Sequence, residues 1–429
     1  MRYENWLYTS SSAKTISHAP LKKNIRTDCL VIGAGFTGLH ATLRLANSGK
    51  KVVLLEKTFC GGGSSGQSGG FLTPESEKDI DQLIQVYGEK RAHILHNIPK
   101  RGVQLILDTI KQYKFNCDLR KQDSLYLAYR KPHEKWLKEE ARLRKETSSP
   151  YKILKGNALK KTHPVKNYSM GLKYPGSHGI NSFLYCQEMK NLLIKKGVKI
   201  YENSEVHKIK GNTAKTRLGS VTAKNILICI DKMKTEFDEE ISKKIYHIQS
   251  YITISEPLTE KEIKALYPKG ELMCWDTRII YMYYRPVDGN RILVGGAGLL
   301  ETYSPTYSYS PKVIKKFIDE FKERFPQLKN ISFTTYWSGL IDITQDLEPL
   351  VDYDKQNKSI QYALGCAGLP WAAFCGDYIA RRVVSPKKAE DLSEFTRIDR
   401  NFLISGRLQK FLGKRISFAI SHLKEYIQT

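Results

Sequence analysis

Hydrophobic positions first form short unbroken runs and then recur at helical spacing. Cys29–Ile32 is apolar throughout and stops at glycine, which predicts a strand buried on both faces; a half-buried strand would alternate. Leu39, Leu43 and Leu45–Ala46 then repeat with helical period, and Val52–Leu55 is a second apolar run. The pattern predicts strand, tight turn, helix and strand. Further on, Ile80, Leu83 and Ile84, then Ile94, Ile98, Val103 and Leu107, predict a long helical region over Glu75–Tyr113. Ser124–Tyr129 alternates as a strand, whereas His133–Thr147 and Tyr151–His163 read as two charged helices. Ile226–Ile230 reads as a buried central strand. Alternating segments on either side of Asp288–Gly289 predict a hairpin. Pro311–Phe325 reads as a helix, Phe333–Trp337 and Ser359–Leu364 as strands, the latter entering a second glycine turn that opens a helix.

This order predicts an α/β protein: a Rossmann-like nucleotide-binding domain carrying an inserted α+β domain with an antiparallel sheet. The expected division is a lead-in at 1–27, a discontinuous nucleotide-binding domain at 28–116, 165–240 and 335–395, the inserted domain at 117–164 and 241–334, and a helical tail at 396–429. In that tail, Leu408, Phe411–Leu412, Ile416, Ala419–Ile420, Leu423 and Ile427 share one helical face, with Arg407, Lys410, Lys414 and Lys424 on or beside the other. Such a helix docks on the nucleotide-binding domain or on a second subunit, or lies on an anionic membrane; docking is the expectation.

The 429 residues, 41% of them apolar, suffice for two packed domains. No run is long enough to span a bilayer, and the polar N-terminus does not read as a secretory leader. Cysteines 29, 60, 117, 186, 229, 274, 366 and 375 show no metal or disulfide spacing and read as reduced thiols in cytoplasm. His93 and His96 stand three apart but lack further ligands, so they read as a solvated helix face and no metal is expected. The net charge of +25 comes from lysines spread along the chain without a basic-aromatic motif, so nucleic acid is not the expected partner.

Gly33, Gly35 and Gly38 fall in G-x-G-x-x-G register at the first turn, where a helix N-terminus favours phosphate. Glu56 ends the next strand and suits a ribose without a 2′-phosphate, so these residues point to FAD or NAD. The glycine-rich stretch Gly61–Gly70 reads as backbone folded closely around that ligand. Candidate contacts here are Gly33, Gly35, Phe36, Thr37, Gly38, Glu56, Lys57, Ser64, Ser65, Gly66, Gln67, Gly69 and Gly70.

The segment G-G-G-S-S-G-Q-S-G-G resembles one in the D-amino-acid oxidase and glycine oxidase superfamily, particularly its gamma-glutamylputrescine oxidase-like branch. The lead-in, the strand and turn Q-S-Y-I-T-I-S-E-P-L and the segment W-S-G-L-I-D-I-T-Q-D-L-E-P are similar too. The resemblance implies FAD and adds Val206, Gly339, Gly368, Leu369 and Pro370 as cofactor positions. It implies that an antiparallel sheet roofs the flavin, with Tyr281, Tyr283, Arg285 and Trp371 as substrate-pocket candidates. Tyr281, Tyr283 and Arg285 share one strand face and Tyr284 takes the other; alternation leaves open which points inward.

Departures from the family pattern matter as well. Gly339 stands where some relatives bear a flavin-linking cysteine, which implies noncovalent FAD. Leu369–Pro370 replaces a usual His-Gly, Ala372 a carboxylate-binding lysine, and apolar Leu293–Val294 the site of an oxygen-activating lysine. The implied activity is oxidation of a C–N bond in an amine or N-substituted amino acid, with hydride passing to flavin and O2 or another acceptor taking the electrons. The alternatives are flavin-dependent tRNA modification, a membrane-associated amine dehydrogenase and a non-catalytic flavin-binding protein.

Overall fold

The computed structural model describes residues 1–9, 17–146, 149–278, 280–297 and 310–400, with isolated positions at 302, 402, 409, 412, 416, 417, 419 and 420. The apolar strand Asn24–Ile32 lies at the centre of an eight-stranded sheet. Val52–Leu55 and Lys199–Tyr201 follow in parallel on one side, Ser220–Ile228 and Ile360–Leu364 on the other. The apolar runs within them, Cys29–Ile32, Val52–Leu55 and Ile226–Ile228, are buried on both faces. Helices Phe36–Asn47, Glu89–Tyr113, Ser182–Lys195 and Leu369–Val384 contribute to the core on one face. An antiparallel extension through Thr213–Thr216 and Val206–Lys210 contributes to the other.

The second layer is a nine-stranded, largely antiparallel sheet. Its hairpin joins Tyr283–Val287 to Arg291–Gly296, as the Asp-Gly signal predicts. Opposite faces have opposite jobs. Tyr251, Tyr284, Cys274 and Val294 pack with helix Pro311–Arg324 in one core, whereas Ser250, Tyr283, Trp275 and Tyr126 line a cavity.

Several expectations fail. Tyr151–His163 is a short edge strand, Lys152–Lys155, followed by a helix, Gly156–Thr162: pairing with Met170–Tyr174 overrides helical periodicity. Met170–Tyr174 itself belongs to the nine-stranded sheet, not to the nucleotide-binding segment 165–240. Phe333–Ile343 is one strand of that sheet and crosses the expected boundary at 335. The region Glu75–Tyr113 holds two helices, Ile80–Tyr87 and Glu89–Tyr113, separated at Gly88, whose φ of 75° breaks the helical course. His96 is buried, so the His93–His96 pair does not form one solvated face. Burial lowers the His96 pKa to about 3.

In the lead-in, Arg2–Tyr3 adds a parallel edge strand to Phe333–Ile343, and Tyr8 packs on Phe59 and Phe183. Most of the tail lies outside the described residues, including the greater part of the expected amphipathic helix.

Candidate active site

A cavity of about 780 Å³ separates the two sheets. At one end, the turn after Asn24–Ile32 brings Gly33, Gly35, Phe36 and Thr37 to its wall. Gly33 has φ 99°, and a Cβ there would stand 2.2 Å from the Cys229 carbonyl oxygen. A Cβ on Gly38 would lie 1.8 Å from the Gly33 oxygen, so the third glycine serves helix packing rather than lining the cavity. Glu56 and Lys57 line the same end, with Val206 beside them. The Glu56 carboxylate is held from behind: Oε2 accepts from the Ala34 N–H at 2.9 Å, and Oε1 from the Thr58 N–H at 2.9 Å and hydroxyl at 3.1 Å. These bonds fix the carboxylate and leave acceptor capacity for a hydroxyl in the cavity.

The Gly61–Gly70 loop is fastened from both layers. Ser65 Oγ accepts from the Phe36 N–H at 2.9 Å, and Ser64 Oγ donates to Asp231 at 2.7 Å. Trp337 Nε1 donates to the Gln67 carbonyl at 2.9 Å. Arg285 donates to the carbonyls of Gly69 and Ile180, both at 2.7 Å. Ser64, Ser65, Gln67 and Gly69 line the cavity. Gly66 packs against the Gly61 carbonyl and Gly70 against that of Ile180, positions where a Cβ would collide.

Gln67 Oε1 is buried, has no hydrogen-bond partner among the described residues and belongs to a cavity-lining side chain. It lies 3.6 Å from where a Gly339 Cβ would stand. An unsatisfied amide acceptor costs free energy unless a ligand donor meets it, and a flavin ring N–H is such a donor. The nucleotide turn, the Glu56 carboxylate and this acceptor together fit FAD.

At the far wall, Gly368, Leu369 and Pro370 open the helix Leu369–Val384 onto the cavity, with proline in its first turn. The helix N-terminus there favours negative charge. Gly102 packs so closely on Pro370 that a Cβ would stand 2.0 Å from its carbonyl oxygen. Trp371 and Ala372 also line the wall, and Trp371 Nε1 donates to Ser76 Oγ at 3.3 Å.

In the roof, Tyr283 reaches the cavity and its hydroxyl lies 2.9 Å from Ser250 Oγ. Gly295 makes this possible, because a Cβ would come within 2.1 Å of the Tyr283 ring. Tyr281 lines the cavity beside it, with ring centroids 6.0 Å apart. Arg285 requires correction as a substrate-pocket candidate. Its side chain is fully buried, outside the lining, and binds backbone carbonyls of the Gly61–Gly70 loop and its neighbour.

Sequence reasoning also missed part of the lining: Tyr126, Trp136, Tyr174 and Trp275 on the sheet side, and Glu75, Glu77, Lys78 and Asp79 from the segment whose Ser76 bonds to Trp371. The aromatic residues come from four separate elements, three strands and the helix His133–Glu146. Strand pairing brings Tyr126, Tyr174 and Trp275 together, and the short strand at 170–174 gave no sequence signal.

These features define a flavin-dependent oxidoreductase. The chain belongs to the DAO family, FAD dependent oxidoreductase, which it matches over residues 28–382. It is similar to the gamma-glutamylputrescine oxidoreductase of Escherichia coli, with 28% identity over 371 residues and 84% of each chain covered. It is also 27% identical over 424 residues to the probable oxidoreductase OrdL of Haemophilus influenzae, covering 95% of this chain and 94% of that one. Among solved structures, glycine oxidase from Geobacillus kaustophilus matches with a TM-score of 0.75 at 17% identity, covering 88% of this chain and 99% of the other. FAD is therefore the cofactor, as the family requires, and the two-layer architecture is the family's fold. Among the described residues no helix is long and apolar enough to cross a membrane.

Proposed function

We propose that this enzyme oxidises the C–N bond of a small amine or N-substituted amino acid and holds its FAD noncovalently. Bound FAD supplies the acceptor for a hydride leaving the carbon next to nitrogen. The nitrogen lone pair becomes the second bond of a C=N group, and water then converts this imine to a carbonyl compound and a free amine. The chain's own task is positioning and exclusion of bulk water, which contribute to rate by fixing the reacting geometry. Tyr281, Tyr283 and Trp371 supply apolar faces beside the reacting region, and no side chain is required as base when the amine enters neutral. The observation that carries this reading is the continuous cavity from Gly33 and Glu56 to the aromatic roof at Tyr283.

Gly339 lines the cavity where the family resemblance places a linking cysteine, which supports noncovalent attachment. Leu293 packs 3.4 Å from the position a Gly69 Cβ would take, so an apolar side chain meets the flavin loop where an oxygen-activating lysine is absent. Slow reoxidation by O2 and faster reoxidation by another acceptor follow from this reading. Anaerobic mixing with primary amines, secondary amines and N-substituted amino acids tests the activity. At least one class should bleach the flavin; reduction by free glycine or D-amino acids alone would refute the proposed substrate class.

A further inference from the structure

Tyr283 lies across its own sheet. It pairs with Gly295, and its ring passes over that glycine toward the strand Tyr246–Ser255. A Cβ on Gly295 would stand 2.1 Å from the Tyr283 Cζ and 2.4 Å from its hydroxyl oxygen. Phe71 packs against the ring edge to face, with centroids 5.3 Å apart. So placed, the hydroxyl reaches Ser250 Oγ at 2.9 Å, and Ser250 Oγ lies 3.4 Å from the Gly296 carbonyl oxygen. Tyr283, Ser250 and Gly296 all line the cavity.

Two protons shared among three oxygens give this chain a direction. The Gly296 carbonyl only accepts, so Ser250 donates to it and Tyr283 donates to Ser250. In the reverse direction Ser250 would donate to Tyr283, and the phenolic proton would have no acceptor among the described residues. Burial pushes the phenol up to about 12, so it keeps this proton at neutral pH. The oxygen therefore turns lone pairs, and not a proton, toward the cavity. An amine that loses hydride needs its nitrogen lone pair for the new C=N bond. A donor placed on the nitrogen would tie that pair up, whereas an acceptor placed on an N–H leaves the pair free and fixes its direction.

Resting on the proposed amine oxidation, we infer that Tyr283 is a catalytic residue whose oxygen accepts an N–H of the reacting nitrogen, with Ser250 and Gly296 as positioning residues that hold its proton away. The substrate nitrogen is thus primary or secondary, because a tertiary amine in its neutral, reacting form has no N–H to offer. A carboxylate in that place would meet an oxygen with no proton to give and is disfavoured.

The test separates binding from turnover. A tert-alkylamine has no hydrogen on the carbon that bears nitrogen, so it binds the FAD-loaded enzyme without reducing it. Titrated against the flavin absorbance, Tyr283→Phe should bind this amine at least fivefold more weakly than wild type. The same substitution should leave unchanged the affinity for the hydrocarbon in which methyl replaces the amino group, and for an alkanoate of equal length. A Tyr283→Phe variant that holds the amine as tightly as wild type, or that loses the alkanoate instead, overturns the assignment. In anaerobic reduction, wild type should react at least tenfold faster with a secondary amine than with its N-methylated analogue. Tyr283→Phe should shrink that ratio at least fivefold, and an unchanged ratio overturns the proposal. Ser250→Ala releases the phenolic proton toward the cavity and should slow flavin reduction at least threefold with FAD affinity unchanged; Ser250→Thr keeps the hydroxyl and should restore the rate. Equal slowing by both would overturn the role of Ser250, and this pair carries the test if Tyr283→Phe does not fold. Reduction by no amine at all would refute amine oxidation, while the binding result would still decide whether Tyr283 accepts from nitrogen.

Discussion

Replacing Arg285 with methionine should loosen the flavin loop rather than abolish substrate recognition. The side chain is fully buried and donates at 2.7 Å to two carbonyls, those of Gly69 in the loop and Ile180 in a neighbouring segment. Burial lowers its pKa to about 10, which leaves it protonated at neutral pH. Each charged hydrogen bond contributes about 1.5–3 kcal/mol, so removal of both costs about 3–6 kcal/mol. Part of this is recovered because the methionine variant no longer buries a guanidinium, and a net loss of about 2–4 kcal/mol remains. Arg285→Lys keeps the charge but lacks the planar fork, so it should fall between wild type and methionine. Urea unfolding of apoprotein and holoprotein measures the stability, and FAD dissociation measures the loop. We expect a lower unfolding midpoint and weaker FAD in the methionine variant. An unchanged midpoint with unchanged FAD affinity and a raised KM for the amine would refute the clamp and return Arg285 to the substrate pocket.

Further outcomes follow from other contacts. Acid or heat should release intact FAD from the yellow protein; colour retained on the precipitated chain would contradict noncovalent attachment. Glu56→Arg removes the acceptor for Ala34 and Thr58 and places a cation at the ribose end, so FAD should bind at least tenfold more weakly, as a loss of about 1.5–3 kcal/mol implies. Glu75 should make stability fall as pH rises. Its folded pKa of about 8 exceeds the ordinary 4.5, so between those values the unfolded chain has released a proton that the folded chain retains. Stability is therefore lost across this window and levels off above it; Glu75→Gln should flatten that slope in pH-dependent melting curves, and an unchanged slope would reject the assignment.

The first strand–turn–helix–strand unit was legible because its signal is local. Gly33, Gly35, Gly38 and Glu56 sit at fixed intervals on one strand–turn–helix–strand unit, and the collisions a Cβ would cause at Gly33 and Gly38 explain why glycine stands there. The hairpin was legible for the same reason. What alternation could not reveal was the inward face of Tyr283, because both sheet faces are apolar: Tyr284 enters the core beneath helix Pro311–Arg324. Arg285 shares the Tyr283 face yet misses the pocket, since carbonyls in sequence-distant segments draw it aside. The distal aromatic row escaped notice because Trp275 and Tyr126 become neighbours only through a parallel pairing across 149 residues of chain. Likewise Lys152–Lys155 looked helical in isolation and became a strand only beside Met170–Tyr174.

Product analysis in a single anaerobic turnover tests the central claim most directly. Holoenzyme in excess is mixed with an isotopically labelled amine that reduces it and quenched once the flavin has bleached, and the products are quantified by mass spectrometry. The account predicts one carbonyl product and one equivalent of ammonia, or of the amine where the nitrogen is substituted, for each flavin reduced, both derived from cleavage at the same C–N bond. Flavin reduction with the amine recovered intact, or with oxidation at a carbon not bonded to nitrogen, would contradict it.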